Sequence, residues 1–461
     1  MGGARVPLAA PTPYGRQLLN VTDQFEGSQW WSPEVLQRYQ YDHLTRLLAH
    51  AYETVPFHRK RLADAGYRLG QEVTPELWRR LPILKRSDIQ DQGDAFQSTR
   101  VPPEHGGVFK VSTSGSTAMP LSVWRSDLHA TILEAIVLRK AIWQDCDFRL
   151  KLGAVIWDLE GRWGAPAGAH SLDWGQPAAL AYQTGPAVVI HSGSAPTELA
   201  DWLVRERPDY LNIMPTPLTD VCFNFLDRDL TPPRLNGIMV HAEIVSPDLR
   251  ELVRRTFGLE LFASYGAREV GTIALQCPQH QHYHVQAEAM LVEILGDDLN
   301  PCGPGETGTV ILTPLHGYAS PLLRYEIGDR AVVGRPCSCG RPHPVLTQIV
   351  GRTSGRVVLP SGMRRFCYFG GLRFLQQFSD LRQFQIVQRS LYDLEVRLVT
   401  RRRLTPDIEA EIARRVKTVT GEHFSVVFTY HDSIPLPPGG KFQDLVCEVD
   451  PADALGSAVV N

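Results

Sequence analysis

The first half of the chain alternates between segments with helical spacing and short runs rich in β-formers. Residues 36–52 space their apolar side chains helically and predict an amphipathic helix with one buried stripe. A second helical stretch at 75–91 is interrupted by Pro82. Beyond residue 108, helical stretches at 127–142, 196–207, 217–228 and 246–257 alternate with β-rich runs at 108–111, 153–157, 187–191, 210–214 and 237–240. This alternation is typical of an α/β sheet.

The pattern changes twice in the second half of the chain. Residues 288–295 and 308–315 are strand-like and flank a turn at 301–305, which predicts a meander in a barrel-like subdomain. After Gly351, strand-like runs at 384–388, 391–399 and 425–430 and a helical run at 405–420 predict a small α+β unit. We therefore expect two domains, 1–350 and 351–461, which meet at the turn 351–355.

Composition excludes several classes of protein. A chain of 461 residues that is 43% hydrophobic and 21% charged can bury a large core and is not disordered. A net charge of −3 gives no basic field for nucleic acid, and no run approaches the ~18 apolar residues of a membrane span. The first residues do not resemble a secretory signal, and eight cysteines are too few for a disulfide scaffold. We expect a cytoplasmic protein.

Four polar segments are candidates for ligand chemistry, although each alone also fits an ordinary turn or surface loop. The segment 111–120 offers four hydroxyls and a glycine that can wrap a polyphosphate. The segment 264–271 combines a tyrosine, a glycine and a glutamate, which suit a flat ring and Mg²⁺. The segment 323–330 ends in an aspartate suited to ribose hydroxyls. The loop 436–442 carries Lys441, one of only seven lysines among 47 basic residues.

Two short pairs of metal-binding residues predict a zinc site. Cys277 and His280 form a C-x₂-H pair, and Cys337 and Cys339 form a C-x-C pair. Three thiolates and an imidazole fit a closed, structural tetrahedral Zn²⁺ site. The neighbouring His282, His284 and His343 compete for the histidine position, and two unconnected loops with free thiols are the alternative.

The order of these segments resembles the adenylate-forming superfamily of acyl-CoA synthetases. The N-terminal segments LTRLLAHAYETVPFHR (44–59) and LPILKRSDI (81–89), together with PLLRYEIGD and CSCGRPHP, resemble phenylacetate–CoA ligases over nearly the whole chain. The resemblance implies a large N-terminal adenylation domain and a small C-terminal lid. It also implies that a carboxylic acid reacts with ATP to give an acyl-adenylate and pyrophosphate, and that coenzyme A then displaces AMP.

The resemblance also implies roles for individual residues. The implied nucleotide-binding positions cover the phosphate loop, the adenine pocket and the ribose, and they are Ser114, Gly115, Ser116, Thr117, Ala242, Glu243, Tyr265, Gly266, Asp329 and Arg352. Glu269 matches the Mg²⁺ carboxylate. Lys441 matches the lid lysine that bridges the acyl carboxylate and the α-phosphate, where an ammonium offsets the charge of the attack.

The chain departs from the family pattern at two places. The phosphate loop usually ends in Gly-Lys-Pro, whereas this chain has Ala118-Met119-Pro120 and so lacks the loop lysine. The hinge turn usually carries acidic residues, whereas this chain has Thr353-Ser354-Gly355. We therefore expect this chain to bind pyrophosphate without a loop lysine. We also expect its hinge to depend on the flexibility of Gly355, without the acidic residues of the family pattern.

The acyl pocket is expected beside Trp157, Trp163 and Met214, which suggest an aromatic or compact apolar acid; core packing of all three is the alternative. Alternatively, the Asp158 carboxylate binds an amine group of the substrate. We consider a CoA ligase first, a ligase that transfers the acyl group to an amine or a carrier-protein thiol second, and a non-catalytic nucleotide-binding scaffold last. A homodimer is plausible by resemblance.

Overall fold

The computed structural model describes residues 5–112, 121–157, 162–352, 356–360, 364–367, 378, 380–435 and 443–449. The chain begins with five helices, and a proline opens each of the first four because a first-turn N–H has no helical acceptor to lose. These helices are α1 (Pro13–Ser28), α2 (Pro33–Thr54), α3 (Pro56–Asp64), α4 (Pro75–Arg80) and α5 (Arg86–Gln92). The predicted stripe of α2 is confirmed, since Leu44, Leu47 and Leu48 are buried.

A β-hairpin and a long buried helix connect these helices to the main sheet. Strands β1 (Val108–Ser112) and β2 (Ser122–Ser126) pair antiparallel, with Ser112 opposite Ser122. Helix α6 (Asp127–Trp143) follows directly, capped by the Ser126 side chain, which accepts a hydrogen bond from the main chain of His129. Most of its side chains are buried, which suits a helix enclosed by other elements.

The predicted alternation of strands and helices is confirmed over residues 152–267. The elements of this region are β3 (Leu152–Ile156), β4 (Ala169–Ser171), α7 (Ala178–Ala181), β5 (Ala187–His191), α8 (Pro196–Glu206), β6 (Tyr210–Ile213), α9 (Pro215–Asp227), β7 (Gly237–Val240), α10 (Pro247–Phe257) and β8 (Leu261–Ala267). Strands β5, β3, β6, β7 and β8 pair parallel in that spatial order. Their carboxyl ends therefore meet at one edge of the sheet, where ligands of open α/β sheets bind.

The predicted meander is present as the antiparallel part of the main sheet. The strands are β9 (Gly271–Gln276), β10 (Tyr283–Val285), β11 (Met290–Leu295), β12 (Thr307–Pro314), β13 (Tyr325–Val333) and β14 (Val345–Arg352). Strand β8 pairs parallel with β7 and antiparallel with β9, so both halves join in one sheet of 12 strands, in the order β11-β12-β13-β14-β10-β9-β8-β7-β6-β3-β5-β4.

The C-terminal region forms a second, smaller sheet. Its elements are β15 (Arg356–Val358), β16 (Arg364–Phe366), β17 (Leu381–Gln388), β18 (Asp393–Thr400), α11 (Pro406–Thr420), β19 (Ser425–Tyr430) and β20 (Leu445–Cys447). The order β19-β18-β17-β20 places α11 as the crossover between the parallel strands β18 and β19. The predicted strands and helix of this α+β unit are confirmed.

The largest apolar core lies between the 12-stranded sheet and its helices and includes the fully buried Trp202, Leu211 and Ile238. A second core encloses α1 and α6, and a third packs α2 against Leu315 and Leu323. No helix in the described part of the chain has both the length and the apolar composition needed to cross a membrane.

Candidate active site

The segments that the sequence singled out for nucleotide binding lie along one edge of the main sheet. Ala242 and Glu243 follow β7, Tyr265 and Gly266 end β8, and Asp329 lies on β13. Because β7 and β8 are neighbouring parallel strands, their carboxyl ends meet. The structure thus brings together residues that are up to 87 positions apart in the sequence, between 242 and 329.

Tyr265 and Asp329 form a direct contact at this edge. The Tyr265 hydroxyl donates a hydrogen bond of 2.7 Å to Oδ2 of Asp329. Each residue is only 9% exposed, so this hydrogen bond is largely shielded from solvent. Asp329 also stands opposite Arg352 in the β13–β14 register, so the main chains of two predicted ribose-binding residues lie side by side.

Gly266 lies at a close approach of two strands. A Cβ at this position would stand 2.6 Å from the carbonyl oxygen of Gly271, which only glycine avoids. The register shifts between Tyr265 and Gly266, so the end of β8 is bent where it meets β9. The turn beyond it carries Glu269.

Glu269 is nearly buried, with 5% of its surface exposed. The hydroxyl of Tyr325 donates to its Oε1 at 3.4 Å, and burial raises the pKa of Tyr325, so this group remains a donor at neutral pH. Tyr325 is not among the candidate residues that the sequence pattern indicates. A signal existed, because Tyr325 and Asp329 are four residues apart on β13 and therefore share its inward face, as the alternating burial shows.

Ala242 and Glu243 lie in the loop between β7 and α10, and Glu243 contacts helix α9. Ala242 has a φ of +72°, in the left-handed region that a non-glycine residue rarely adopts. Glu243 accepts a hydrogen bond of 2.7 Å from the main-chain N–H of Thr216, in the first turn of α9. The carboxylate therefore caps the positive end of this helix and fixes the adenine-flanking segment predicted from the sequence.

Asp220 stands one turn beyond Thr216 on α9 and was not singled out by the sequence. Burial, and secondarily the nearby Glu243, raises its pKa to about 7. Two carboxylates thus lie near each other, and the buried setting favours the neutral form of Asp220.

Two of the three predicted acyl-pocket residues follow neighbouring strands at the same edge, and Trp163 lies in the loop between β3 and β4. Trp157 follows β3 and Met214 follows β6, which is its parallel neighbour. Trp163 accepts a hydrogen bond of 2.8 Å at its main-chain oxygen from the N–H of His191 at the end of β5, and the His191 ring lies 4.9 Å from that of Trp157. Met214 is 6% exposed, whereas both tryptophans are half-buried, so the tryptophans have more surface to offer a ligand.

Several predicted residues lie outside the described part of the chain. They are Ser114, Gly115, Ser116, Thr117, Ala118, Met119, Asp158 and Lys441. The described residues nonetheless fix the ends of the phosphate loop, since the hydroxyls of Ser112 and Ser122 lie 2.8 Å apart across the hairpin. Beyond Lys441, the main-chain oxygen of Gln443 accepts from the Gln385 side chain at 3.1 Å, and that of Asp444 accepts from the N–H of Ile386 at 2.8 Å.

A separate cluster of metal-binding side chains joins two loops. Ligand atoms of Cys277, His284, Cys337 and Cys339 all lie within 4.8 Å of one another. Two sulfurs, those of Cys277 and Cys337, are 3.8 Å apart, and Sγ of Cys339 is 3.3 Å from Nε2 of His284. The histidine of this group is His284, on β10, and the predicted His280 lies outside it, while Nε2 of the competing His282 lies 3.0 Å from Sγ of Cys337.

His280 has a different neighbour. Its Nε2 lies 3.0 Å from the hydroxyl of Ser338. The C-x₂-H spacing misled the prediction because strand pairing, and not sequence proximity, aims His284 at the cysteines. The three predicted cysteines do come together.

Comparison with known proteins gives relatives of one kind. The chain is 28% identical to phenylacetate-coenzyme A ligase of Thermus thermophilus over 341 residues, which is 71% of this chain and 72% of that protein. It is 23% identical to the enzyme of the same name from Pseudomonas putida over 353 residues, 71% of this chain and 73% of that one. The chain is thus similar to phenylacetate-coenzyme A ligases over about 71% of its length. No family model matches it.

Solved structures agree on the fold. The chain superposes on 2-hydroxyisobutyryl-CoA ligase in complex with 2-HIB-AMP with a TM-score of 0.70 and 17% identity, over 94% of each chain. It superposes on anthranilate CoA ligase AuaEII in complex with anthranoyl-AMP with a TM-score of 0.51 and 13% identity, over 76% of this chain and 66% of that one. The mixed α/β fold predicted from the sequence is confirmed.

Proposed function

We propose that this protein is an AMP-forming carboxylate–CoA ligase. The observation that carries the proposal is the convergence of Tyr265, Asp329 and Glu269 at the carboxyl edge of the parallel strands, with the first two in direct contact. An aromatic ring, a ribose acceptor and a buried carboxylate are the groups that a nucleoside triphosphate and its cation require. Named relatives that are phenylacetate-coenzyme A ligases support this assignment.

The proposed reaction has two steps. A carboxylate oxygen of the acid attacks the α-phosphorus of ATP, the bond to the β-phosphate oxygen breaks, and pyrophosphate leaves. The thiolate of coenzyme A then attacks the acyl carbon of the adenylate and AMP leaves. Lys441 would neutralise the charge that builds between the acyl carboxylate and the α-phosphate in the first step.

Magnesium fits the residues around Glu269. The buried carboxylate supplies one oxygen ligand, and Mg²⁺ typically takes one or two carboxylates and completes its shell with phosphates and waters. Glu269 would hold the ion, whose chemistry is to offset phosphate charge. The Tyr325 hydroxyl would orient that carboxylate through its hydrogen bond to Oε1.

A structural zinc ion fits the cluster of Cys277, His284, Cys337 and Cys339. In a tetrahedral site with Zn–S bonds of about 2.3 Å, two sulfurs lie about 3.8 Å apart. The Cys277 and Cys337 sulfurs are 3.8 Å apart. Four protein ligands leave no open position, so the ion would join the β9–β10 turn to the loop before β14 without entering the reaction.

The acid is proposed to be aromatic or compact and apolar. Trp157 and Met214 follow adjacent strands at the edge where the nucleotide-binding residues lie, Trp163 lies in the loop between β3 and β4, and tryptophans favour flat or bulky apolar groups over a long, flexible chain. Core packing of these residues is the alternative. A panel of acids in a pyrophosphate–ATP exchange assay decides between an acyl-pocket role and core packing.

Pyrophosphate–ATP exchange across aryl, arylalkyl, short and long-chain acids tests the first step. Exchange with one class of acid is the expected result, and its absence with every acid would favour a nucleotide-binding scaffold. Lys441→Ala is expected to reduce exchange at least ~100-fold, because one well-placed donor of charge stabilisation is lost. Wild-type exchange in that variant would contradict the proposed role.

The acceptor is proposed to be coenzyme A, with an amine or a carrier-protein thiol as the alternatives. Product analysis with all three in one reaction separates them. We also propose that residues 351–461 turn against residues 1–350 between the steps. Gly351 stands at this boundary with a φ of +99°, and a Cβ there would stand 2.3 Å from the Ile244 side chain. A homodimer remains a proposal that light scattering tests.

A further inference from the structure

Arg125 connects the two segments assigned to phosphate and to metal. It lies on β2, opposite Phe109 of β1, so it belongs to the hairpin that frames the phosphate loop. Its Nη2 donates a hydrogen bond of 2.9 Å to the main-chain oxygen of Arg268, the residue before Glu269. The guanidinium therefore lies where the hairpin meets the turn that carries the metal carboxylate.

Arg125 is close to both a like and an opposite charge. Burial, and then the like charge of Arg268, lowers the pKa of Arg125, and Glu269 only partly opposes this effect. The opposite charge of Glu269 therefore does not fully compensate the guanidinium, and phosphate oxygens would add the missing negative charge.

The Arg125 guanidinium also has an N–H group that can donate a hydrogen bond to a ligand. Among the residues that the structure describes, its Nε is buried and has no hydrogen-bond partner. A buried N–H without an acceptor costs free energy, and oxygens of a ligand would remove that cost. An arginine presents several N–H groups in a fixed plane and suits phosphate oxygens.

The nearby lysines have other partners. Lys110, on the same hairpin, lies 2.9 Å from Oδ1 of Asp94, and Lys85 pairs with Glu326. The phosphate loop itself has Met119 at the position where the family pattern has lysine. Among the described residues near the hairpin, Arg125 is therefore the cation that we consider for the outer phosphates.

We propose that Arg125 binds the β- and γ-phosphates of ATP and the departing pyrophosphate, in place of the missing loop lysine. This inference rests on the proposed function. Under this proposal Arg125 contributes to the binding of ATP and pyrophosphate and not to that of AMP, which lacks the outer phosphates. The competing explanation is that Arg125 merely holds the carbonyl of Arg268 and so keeps the Glu269 turn in place.

Two substitutions separate these explanations. Arg125→Gln keeps an N–H donor for the Arg268 carbonyl but removes the charge, whereas Arg125→Lys keeps the charge with fewer donors. Binding of ATP, pyrophosphate and AMP to the purified full chain is measured by calorimetry with Mg²⁺ and no acid. We expect Arg125→Gln to weaken ATP and pyrophosphate binding by ~10-fold or more and to change AMP binding less than ~2-fold.

Three comparisons make the result decisive. Arg125→Lys is expected to retain most of the affinity for ATP. Arg125→Gln combined with Met119→Lys is expected to recover pyrophosphate binding, because the charge returns from the loop. Arg149→Gln is the matched control, since Arg149 is exposed and pairs with its neighbour Asp147.

The inference is overturned if Arg125→Gln binds ATP like the wild type, or if its affinity for AMP falls as much as its affinity for ATP. The second result would assign Arg125 to holding the turn. If the wild type itself binds neither ATP nor pyrophosphate, the proposed function fails and the inference fails with it. Binding by the wild type with unaltered binding by Arg125→Gln refutes the inference alone.

Discussion

The hydroxyl of Tyr265 donates a hydrogen bond to Oδ2 of Asp329 over 2.7 Å, and both side chains are nearly buried. One residue ends a parallel strand and the other lies on an antiparallel strand of the same sheet. The contact fixes the orientation of the carboxylate relative to the tyrosine ring. Tyr265 therefore positions the aspartate in addition to offering an aromatic surface.

Tyr265→Phe keeps the ring and removes this hydrogen bond. We expect the KM for ATP in pyrophosphate exchange to rise roughly tenfold, since a hydrogen bond to a charged group contributes about 1.5–3 kcal/mol. Tyr392→Phe is the control, because Tyr392 is 55% exposed in the small sheet. An unchanged KM for ATP in Tyr265→Phe would show that Asp329 needs no such support.

The ion pair of Arg139 and Glu288 predicts how acid affects stability. Nη2 of Arg139 lies 2.9 Å from Oε1 of Glu288, and the two side chains are 1% and 2% exposed. Burial alone would raise the pKa of Glu288, but Arg139 and His343 outweigh it and hold this pKa well below the ordinary 4.5. The stability that this pair contributes is therefore present above pH 4.5 and is lost as the pH falls through the lowered value.

Glu288→Gln tests this contribution by urea unfolding at several pH values. At pH 7 the variant is expected to be less stable by about 3–5 kcal/mol, because Arg139 is left as a buried, unpaired charge. The two curves are expected to approach each other as the pH falls below 4.5 towards the lowered pKa of Glu288. Glu411→Gln removes an exposed partner of Arg414 and should change little at any pH. A constant difference between Glu288→Gln and wild type across the pH range would argue against ionisation as the cause.

The metal cluster predicts which histidine holds zinc. Protein purified without added metal is expected to contain about one zinc per chain. His284→Ala should lose it, whereas His280→Ala, which removes the side chain beside Ser338, should retain it. Elemental analysis measures the content, and Cys339→Ser with a chelator-release assay covers the case in which His284→Ala does not fold. Retention by His284→Ala with loss by His280→Ala would restore the assignment made from sequence spacing.

Local pattern predicted most elements of this fold because spacing along the chain reports burial directly. The stripe of α2 and the alternation over 152–257 are examples. The joining of the two half-sheets through β8 was missed. Pairing of β8 with β7 on one side and β9 on the other is a long-range choice that no local window contains.

The site shows the same division. Motif order located Tyr265, Glu269 and Asp329, which the structure brings to one edge. It missed Tyr325 and Arg125, whose roles come from strand pairing, and it chose His280 over His284 because a C-x₂-H spacing ignores the register of β10. Residues that act through a partner far along the chain therefore need the structure.

Asp227 of the large region forms ion pairs with the C-terminal region, which we propose turns between the half-reactions. Asp227 ends α9, where a carboxylate faces the negative end of the helix dipole and is disfavoured. Arg382 on β17 and Arg401 after β18 both pair with it, and the Arg382 guanidinium lies 4.7 Å from the Phe223 ring centre one turn back on α9. Two arginines thus offset the cost of a carboxylate that joins the two regions.

Asp227→Asn weakens this contact and leaves the helix intact. If the small region turns between the steps, the half-reaction that uses the present arrangement should slow and the other should quicken, each about two- to fivefold, the scale of a surface ion pair. Rapid-quench measurement of pyrophosphate release and of thioester formation follows the two steps separately. Asp201→Asn is the matched control, because Asp201 pairs with Arg228 within the large region. Equal slowing of both steps, with a lower melting temperature, would make Asp227 a stability contact and leave the turning motion to other residues.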